Sequence, residues 1–265
     1  MVAADIWKLC KKLRNNPKYI WPMFRKTYFY FAGTDTFAAK YRELKLLEGN
    51  KTIKQLVAHP KSLVRFGDGE MELMLGSSVY YQDWHQKYDP LLAKRLREIF
   101  QTKDIYKGIV LKFLTPSDAE LKSKGLLFIW CQMRCELWKH LNPDETYLDA
   151  HAFRENPGID LGLIFSFVKT RQVVFVNSSE ESFAKLKKAV PSAQFIQAPK
   201  SNAWLVYPQL LKQTLDYAKK NKLDKKKALF LCSVGPAAKP MIVDLTKEGY
   251  LAWDTGYFFE MSVKA

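Results

Sequence analysis

Short apolar runs that read as β-strands alternate with helical segments through the last two thirds of the chain. Six such runs stand out: Leu63–Phe66, Ile109–Phe113, Arg171–Asn177, Phe195–Gln197, Ala228–Cys232 and Tyr250–Asp254. The segments between them carry apolar residues at helical spacing. This alternation predicts an α/β fold with a Rossmann-like, mainly parallel sheet and helices on both faces.

The N-terminal quarter differs in composition from the remainder. Residues 1–61 contain 13 Lys or Arg and 4 Asp or Glu, which is +9 of the net charge of +15. Apolar residues between positions 6 and 13 recur at helical spacing, and the aromatic, basic stretch Trp21–Phe31 follows. Such a segment suits the interface of an anionic membrane, and it equally suits packing on the core or on another subunit. We therefore predict a basic, aromatic-rich helical segment over 1–61 and a main domain over 62–265.

Composition narrows the class of protein. The 265 residues are 48% hydrophobic, which is enough for a substantial core. Four cysteines show no zinc-binding spacing, so we interpret them as reduced thiols. No apolar run reaches the roughly 20 residues that cross a bilayer, and the N-terminus lacks the apolar core of a secretion signal. We expect a cytoplasmic protein, at most peripheral on the inner face of the membrane, and we leave its oligomeric state open.

Two carboxylates stand two residues apart between glycines in the segment Arg65–Glu70, directly after the first apolar run. If the backbone is extended there, Asp68 and Glu70 point to the same side, because side chains alternate along a strand. Gly67 and Gly69 would let an anion or a hydrated cation approach the backbone. The segment is therefore a candidate platform for a metal ion and a diphosphate.

Oxygen ligands of this kind suit a hard divalent cation. Mn²⁺ or Mg²⁺ binds through one or two carboxylates and takes its remaining ligands from water and substrate phosphates. Arg65 would add a fixed positive charge beside the same phosphates. We predict that Asp68 and Glu70 bind the metal and act in catalysis. Alternatively, Glu70 could serve as the catalytic base instead of as a metal ligand. From the residues alone, a glycine-rich turn with two solvated acids is the alternative.

Polar and basic residues also follow later strands. Lys200 and Asn202 come after the fourth apolar run, and Gly235 and Lys239 come after the fifth. Ligands of doubly wound sheets bind at the carboxyl ends of strands. We therefore expect these residues near a phosphate or a nucleobase, although turn geometry alone also explains Gly235.

Four blocks occur in order between Leu63 and Gly256. They are Arg65–Glu70, then Gln86–Leu96, then Pro199–Ala203, and then Gly235–Lys239 running on to Gly249–Tyr250 and Asp254–Gly256. Together they resemble the bacterial GT-D-fold glycosyltransferases, a family defined by an Asp-x-Glu motif. Gln86 stands where that family usually has Gln.

The resemblance implies a metal-dependent hexosyltransferase. Its donor would be a UDP-sugar, either UDP-glucose or a related UDP-hexose. Its acceptor would be a glycan, lipid-linked or glycoprotein substrate in bacterial surface polysaccharide or glycoprotein synthesis. The residues expected to contact the donor are Arg65, Gly67, Gly69, Gln86, Lys200, Asn202, Gly235 and Lys239.

The proton acceptor is not identified by the sequence. Asp149, His151, Asp254 and Glu260 are all chemically capable of the role. Family members often place a His just after the Asp-x-Gly block, where this chain has Tyr257.

A different class of function is also compatible with the charge. A basic protein could bind a nucleotide, an anionic membrane or nucleic acid without catalysis. The aromatic residues cluster in one N-terminal stretch and no standard RNA-binding motif is present, so we do not expect nucleic acid as the partner.

Overall fold

The structure is a computed structural model that describes residues 20–81, 83–153, 159–256 and 258. The chain forms two compact units. In the described part, the first unit contains residues 20–43 and 112–139, and the second contains the rest.

The second unit is built on an eight-stranded sheet. In spatial order its strands are β1 (Lys45–Leu47), β6 (Thr146–Asp149), β5 (Ile105–Ile109), β2 (Ser62–Phe66), β10 (Leu251–Asp254), β9 (Ala228–Ser233), β7 (Gln172–Asn177) and β8 (Gln194–Gln197). Every neighbouring pair is parallel. The predicted α/β fold with a parallel sheet is confirmed, and the continuous apolar runs are explained because central parallel strands are buried on both faces.

Helices connect these strands. They are α3 (Gly49–Ala58), α4 (Asp68–Met74), α5 (Pro90–Glu98), α9 (Leu161–Lys169), α10 (Glu180–Ala189), α11 (Tyr207–Lys220) and α12 (Ala238–Lys247), with 3₁₀ turns at Ile99–Gln101, Ala203–Val206 and Gly235–Ala237. Side-chain caps define several starts: Asp89 accepts from two amides of α5, and Ser179 accepts from Ser182 N of α10. A short antiparallel hairpin, β3 (Val79–Tyr80) and β4 (His85–Gln86), lies outside the main sheet.

The first unit is helical. It contains α1 (Ile20–Ala32), α2 (Asp35–Glu43), α6 (Leu111–Leu114, which begins at the unit boundary), α7 (Asp118–Ser123) and α8 (Leu127–Trp138). Helix α8 is its centre, because apolar side chains cover most of its circumference and most are buried. The fully buried Arg134 of α8 is held by Asp118 and by backbone carbonyls.

Three local predictions differ from the structure. The segment 1–61 is predicted to be helical, but α2 ends at Glu43 and Lys45–Leu47 is a strand that pairs with β6. The predicted strand Ile109–Phe113 begins four residues too late, because β5 covers Ile105–Ile109 and a helix follows. Strand β6 is not among the six apolar runs of the sequence.

Burial explains the difference at β5. Lys107 interrupts the apolar pattern of β5, yet it is buried against Glu145 at 2.6 Å. The hydrophobic pattern of a sequence cannot show that a charged side chain in a strand is neutralised by a residue elsewhere in the chain. The sheet unit also includes β1 and α3, so it begins before the predicted boundary at residue 61.

Tertiary packing fixes the position of β10 beside β2. Trp253 is buried, stacks on Phe167 with ring centroids 5.1 Å apart, and donates from Nε1 to Lys61 O at 3.0 Å. This packing places Asp254 at the carboxyl end of the sheet. Within the described ranges, no helix has both the length and the apolar character needed to cross a membrane.

Candidate active site

The carboxyl ends of the central strands bring together residues from distant parts of the sequence. Arg65 of β2 is level with Gly108 of β5, and the end of β5 is level with Asp149 of β6. Asp254 ends β10 on the other side of β2. Parallel strands end at one edge, and ligands of open α/β sheets bind there.

The Asp-x-Glu motif forms the start of a helix. Strand β2 ends at Phe66, Gly67 is the N-cap, and α4 begins at Asp68. The extended backbone considered from the sequence is therefore absent, and positions 68 and 70 differ by about 200° around the helix axis. Asp68 is exposed, whereas Glu70 is buried. The two carboxylates do not share one surface.

Both carboxylate oxygens of Glu70 are engaged by the protein. Oε2 accepts from Gly67 N at 2.8 Å, which closes the first turn of α4 as in a capping box. Oε1 lies 2.6 Å from Lys239 Nζ, and Lys239 also lies 3.0 Å from Asp254 Oδ2. Glu70 thus joins the start of α4 to α12 and β10.

Arg65 completes this cluster from the other side. Its guanidinium pairs with Asp254 at 3.1 Å and donates to Ala150 O at 2.8 Å. The same group occupies the space that a Cβ atom on Gly256 would need, and Gly256 has φ of +49°. Gly256 N donates to Asp254 Oδ1 at 3.1 Å. A side chain at 256 would therefore be strained and would displace Arg65.

The cluster of Arg65, Glu70, Lys239 and Asp254 contains two cations and two anions. Burial raises the pKa of Asp254, but Arg65 and Lys239 outweigh it and hold that pKa below its usual range. Burial lowers the pKa of Lys239, while Asp254 and Glu70 raise it above its usual value. Asp254 and Lys239 therefore both stay charged near neutral pH. Asp254 is a poor proton acceptor in this arrangement.

An aromatic hairpin lies against the motif. The ring of Trp84 packs on two glycines, at 3.6 Å from the position of a Cβ on Gly69 and 3.5 Å from that on Gly235. Tyr81 donates a hydrogen bond to Asp68, and burial together with nearby carboxylates, Asp68 first, raises the pKa of its hydroxyl. The sequence prediction missed Tyr81 and Trp84. The two isolated glycines were the available signal, because a glycine often marks close approach of another group.

The residues expected to contact a nucleotide after β8 hold this hairpin in place. Asn202, at φ of +52°, accepts from Lys87 N at 2.8 Å, and its amide nitrogen is 2.9 Å from His85 Nε2. Gln86 is buried, donates to Lys87 O at 3.1 Å and accepts from Trp204 N at 3.4 Å. Lys200 is exposed.

The predicted proton acceptors fall in different surroundings. Asp149 ends β6 and His151 follows it; both are half-buried, and Asp149 Oδ1 accepts from His151 N at 2.8 Å. Arg65 is bonded to the carbonyl between them, so this turn adjoins the charged cluster. Glu260 and Tyr257 lie outside the described residues.

A groove of 490 Å³ lies elsewhere on the second unit, along α11. Its lining comes from residues 207–219 alone, and it contains none of the predicted site residues. Strand ends with converging charges are the better candidate for chemistry.

Comparison with known families fits this geometry. The family model of the glycosyltransferase GT-D fold matches residues 63–261, which is most of the chain. The chain belongs to the GT-D-fold glycosyltransferases. This confirms the family and the enzyme class that the four sequence blocks predicted.

Individual GT-D relatives agree. The chain is 28% identical over 236 residues to the probable glycosyl transferase Gly of Streptococcus gordonii, covering 82% of this chain and 32% of that protein. It thus spans about a third of the length of this curated relative. A solved domain of unknown function 1792, described as having a distinct glycosyltransferase fold, is 26% identical with a TM-score of 0.64, covering 85% of this chain and 83% of that one. A glycosyltransferase of the same domain type from Streptococcus sanguinis is 25% identical with a TM-score of 0.65, covering 81% and 82%.

Proposed function

We propose that this GT-D-fold protein transfers a hexose from a UDP-sugar, UDP-glucose or a related UDP-hexose, to a glycan acceptor of bacterial surface polysaccharide or glycoprotein synthesis. The observation that carries the proposal is the exposed Asp68 carboxylate at the carboxyl edge of the sheet, with the neutral cluster directly behind it. An exposed carboxylate beside this cluster of paired charges can bind a divalent cation, and the cation can in turn bind a diphosphate.

The residues fit a divalent cation that is held mainly by the substrate. In the part of the chain that the structure describes, no group of three or more His, Cys, Asp or Glu side chains is arranged to hold a metal ion. Asp68 offers one open carboxylate, and Mn²⁺ or Mg²⁺ in phosphate sites needs only one or two. When bound, such an ion neutralises the negative charge of the leaving diphosphate.

Glu70 has a different role in this proposal. Its two oxygens already bind Gly67 N and the Lys239 ammonium, so a metal ion would have to displace a buried cation to reach it. We therefore assign Asp68 as the metal ligand. Glu70 fixes the start of α4 and keeps Lys239 in place.

The remaining roles follow from exposure and position. Lys200 is an exposed cation after β8 and can reach a phosphate. Arg65 and Lys239 instead form ion pairs with Asp254 and Glu70. In the transfer the bond from the sugar carbon to the diphosphate oxygen breaks, and UDP leaves with the electron pair. A bond forms from that carbon to the acceptor oxygen, whose proton passes to Asp149 or His151.

Calorimetric titration with UDP tests the donor site. We expect UDP to bind in the presence of Mn²⁺ and to bind at least about tenfold more weakly in EDTA. Asp68→Asn should lose the effect of the metal, because it removes the charge and keeps the shape. Asp216→Asn, at an exposed carboxylate on α11, is the matched control and should bind as the wild type does. Absence of UDP binding under both conditions would refute the proposal.

We also propose that α1 contacts an anionic membrane surface, which would place the protein on the inner face of the cell membrane. Phe24, Tyr28 and Phe31 fall on one face of this helix and are 63%, 60% and 80% exposed. The surplus of +9 over residues 1–61 supplies charge complementary to acidic lipid.

Vesicle sedimentation tests this attachment. Serine at positions 24, 28 and 31 should release the protein from vesicles containing phosphatidylglycerol, while UDP binding in solution stays unchanged. Neutral phosphatidylcholine vesicles are the control for charge. Equal binding of the triple variant and the wild type to acidic vesicles would exclude the α1 face as the anchor.

A further inference from the structure

The β3–β4 hairpin has two unlike faces. In its register Val79 pairs with Gln86, and both are buried, whereas Tyr80 pairs with His85 on the opposite face. Side chains alternate along a strand, so Tyr81 and Trp84 fall on the face of Val79. This inner face meets the Asp-x-Glu motif: atoms of Val79, Tyr81 and Trp84 each lie 3.6 Å from the position that a Cβ atom on Gly69 would take.

The inner face keeps an aromatic surface open to solvent beside Asp68. The rings of Tyr81 and Trp84 lie 4.9 Å apart at 46°, and Tyr81 remains 43% exposed although its hydroxyl is bound to Asp68. The exposed part of the Tyr81 ring is therefore available to a ligand that also reaches Asp68. A Cβ atom at Gly69 or Gly235 would come into van der Waals contact with Trp84, at 3.6 Å and 3.5 Å, so any larger side chain at either position would press on this ring.

We propose that the Tyr81–Trp84 pair is the acceptor subsite, where the Tyr81 ring stacks on the pyranose ring that receives the transferred hexose. The inference rests on the proposed glycosyl transfer and adds its acceptor-binding residues. The face of an aromatic ring is electron-rich, and the axial C–H groups of a pyranose are weakly positive, so the two surfaces attract.

Tyr81 then connects the two substrates. Its hydroxyl donates to Asp68 on the donor side, and its ring faces the acceptor. Through this hydrogen bond the hydroxyl holds the Asp68 carboxylate in position. Tyr81 is therefore a binding residue for the acceptor and a positioning residue for Asp68.

The two roles of Tyr81 can be separated by substitution. Tyr81→Leu removes the ring and keeps much of the bulk, whereas Tyr81→Phe removes only the hydroxyl. Tyr80→Leu is the matched control, because Tyr80 is on the same hairpin, is 65% exposed, and stacks on His85 on the outer face. Each variant is first compared with the wild type by thermal unfolding, and the Tyr81→Phe variant shows whether the hairpin tolerates change at this position.

Binding is measured by saturation-transfer NMR with cellobiose, lactose and N,N′-diacetylchitobiose, each with UDP and Mn²⁺ present. We expect pyranose ring protons of at least one disaccharide to receive saturation from the wild type. Tyr81→Leu should weaken that binding about tenfold. Tyr81→Phe and Tyr80→Leu should keep it, and Tyr81→Phe should weaken metal-dependent UDP binding several-fold.

The outcomes distinguish this inference from the proposed function. UDP binding is titrated in the same samples. Intact UDP binding with no saturation transfer to any disaccharide, or with equal transfer in Tyr81→Leu and the wild type, would overturn the acceptor subsite and leave the donor site standing. Equal losses in Tyr80→Leu and Tyr81→Leu would also overturn it. Loss of UDP binding in the wild type would instead overturn the proposed function.

Discussion

Each unit of this protein buries a cluster of charges, and the two clusters differ in what they leave open. In the first unit, Arg134 is completely buried. Its Nη1 bonds Asp118 at 2.9 Å, and its Nε and Nη2 bond the carbonyls of Phe113 and Pro116. Asp118 in turn accepts from Thr34 Oγ1 at 2.6 Å. The network joins three helices, and all of these bonds are made within the first unit.

The cluster in the second unit consists of two cations and two anions, Arg65, Lys239, Glu70 and Asp254. Unlike the first cluster, it lies at the carboxyl ends of the central strands. Among the described residues, the buried Arg65 Nε has no hydrogen-bond acceptor. The exposed Asp68 precedes Glu70 within the same helical turn. Burial of charge alone therefore does not mark a functional site. The informative feature is a buried cluster of paired charges that lies beside an exposed carboxylate.

The largest effect on stability should come from the closed network. Arg134→Met should lower the free energy of unfolding by about 3–5 kcal/mol, because it leaves Asp118 as a buried charge without its cation. Urea denaturation measures the change. If the network is only a scaffold, the folded variant at low temperature should bind UDP as the wild type does. A loss of UDP affinity in the fully folded variant would break the distinction between the two clusters.

The next largest effect should be on chemistry. Asp68→Asn should reduce hexose transfer about 10²–10³-fold, in the range seen when one electrostatic contact to a transition state is removed. The unfolding midpoint should stay close to that of the wild type, because Asp68 is exposed. Transfer is measured as UDP released in the presence of acceptor. Turnover equal to that of the wild type would remove Asp68 from the mechanism.

Glu70→Gln sharpens the comparison within the motif. The amide can still accept from Gly67 N, but Lys239 loses one of its two anions, so we expect a loss of about 1–3 kcal/mol in unfolding free energy. Transfer should fall less than in Asp68→Asn. If instead both carboxylates bind the metal, the two variants would lose turnover equally and Glu70→Gln would keep full stability.

The smallest of these effects should be the loss, at low pH, of the stability that Asp254 contributes. The pKa of Asp254 is below its usual value, so its ion pairs stabilise the fold above the unfolded-state pKa of about 3.9 and this contribution is lost as pH falls through the folded-state pKa. Asp254→Asn should therefore be less stable than the wild type at pH 7. The difference should shrink below about pH 3.9. A difference that is constant from pH 7 to pH 3 would show that Asp254 does not act through its charge.

Much of the fold followed from the sequence because the central strands are buried on both faces. The runs at β2, β7, β9 and β10 are continuous and apolar, and the Ser179 cap marks the start of α10. Prediction of strands failed where a residue that is unusual in a strand is stabilised by a partner on another segment. Lys107 is such a case, because only Glu145 on a neighbouring segment makes a lysine acceptable in a strand.

The site was predicted less completely than the fold. The sequence named the residues of the motif and of the strand ends, and their roles stay predictions. It paired Asp68 with Glu70 as equals, because spacing alone carries no information on which carboxylate meets a lysine from a segment about 170 residues later. It also missed the β3–β4 hairpin, since two-residue strands have no periodicity to detect.

By itself, the sequence determined that the chain forms a parallel α/β sheet and that an Asp-x-Glu motif follows one of its strands. Local propensity, hydrophobic period and residue type are enough for these conclusions, because each acts over a few neighbouring residues. Only the tertiary structure decided that Glu70 faces Lys239 and Asp254, that Arg65 fills the space beside Gly256, and that Trp84 rests on Gly69 and Gly235. These contacts depend on the order and register of strands far apart in the chain, and they decide which charges are neutralised and which remain open to a substrate.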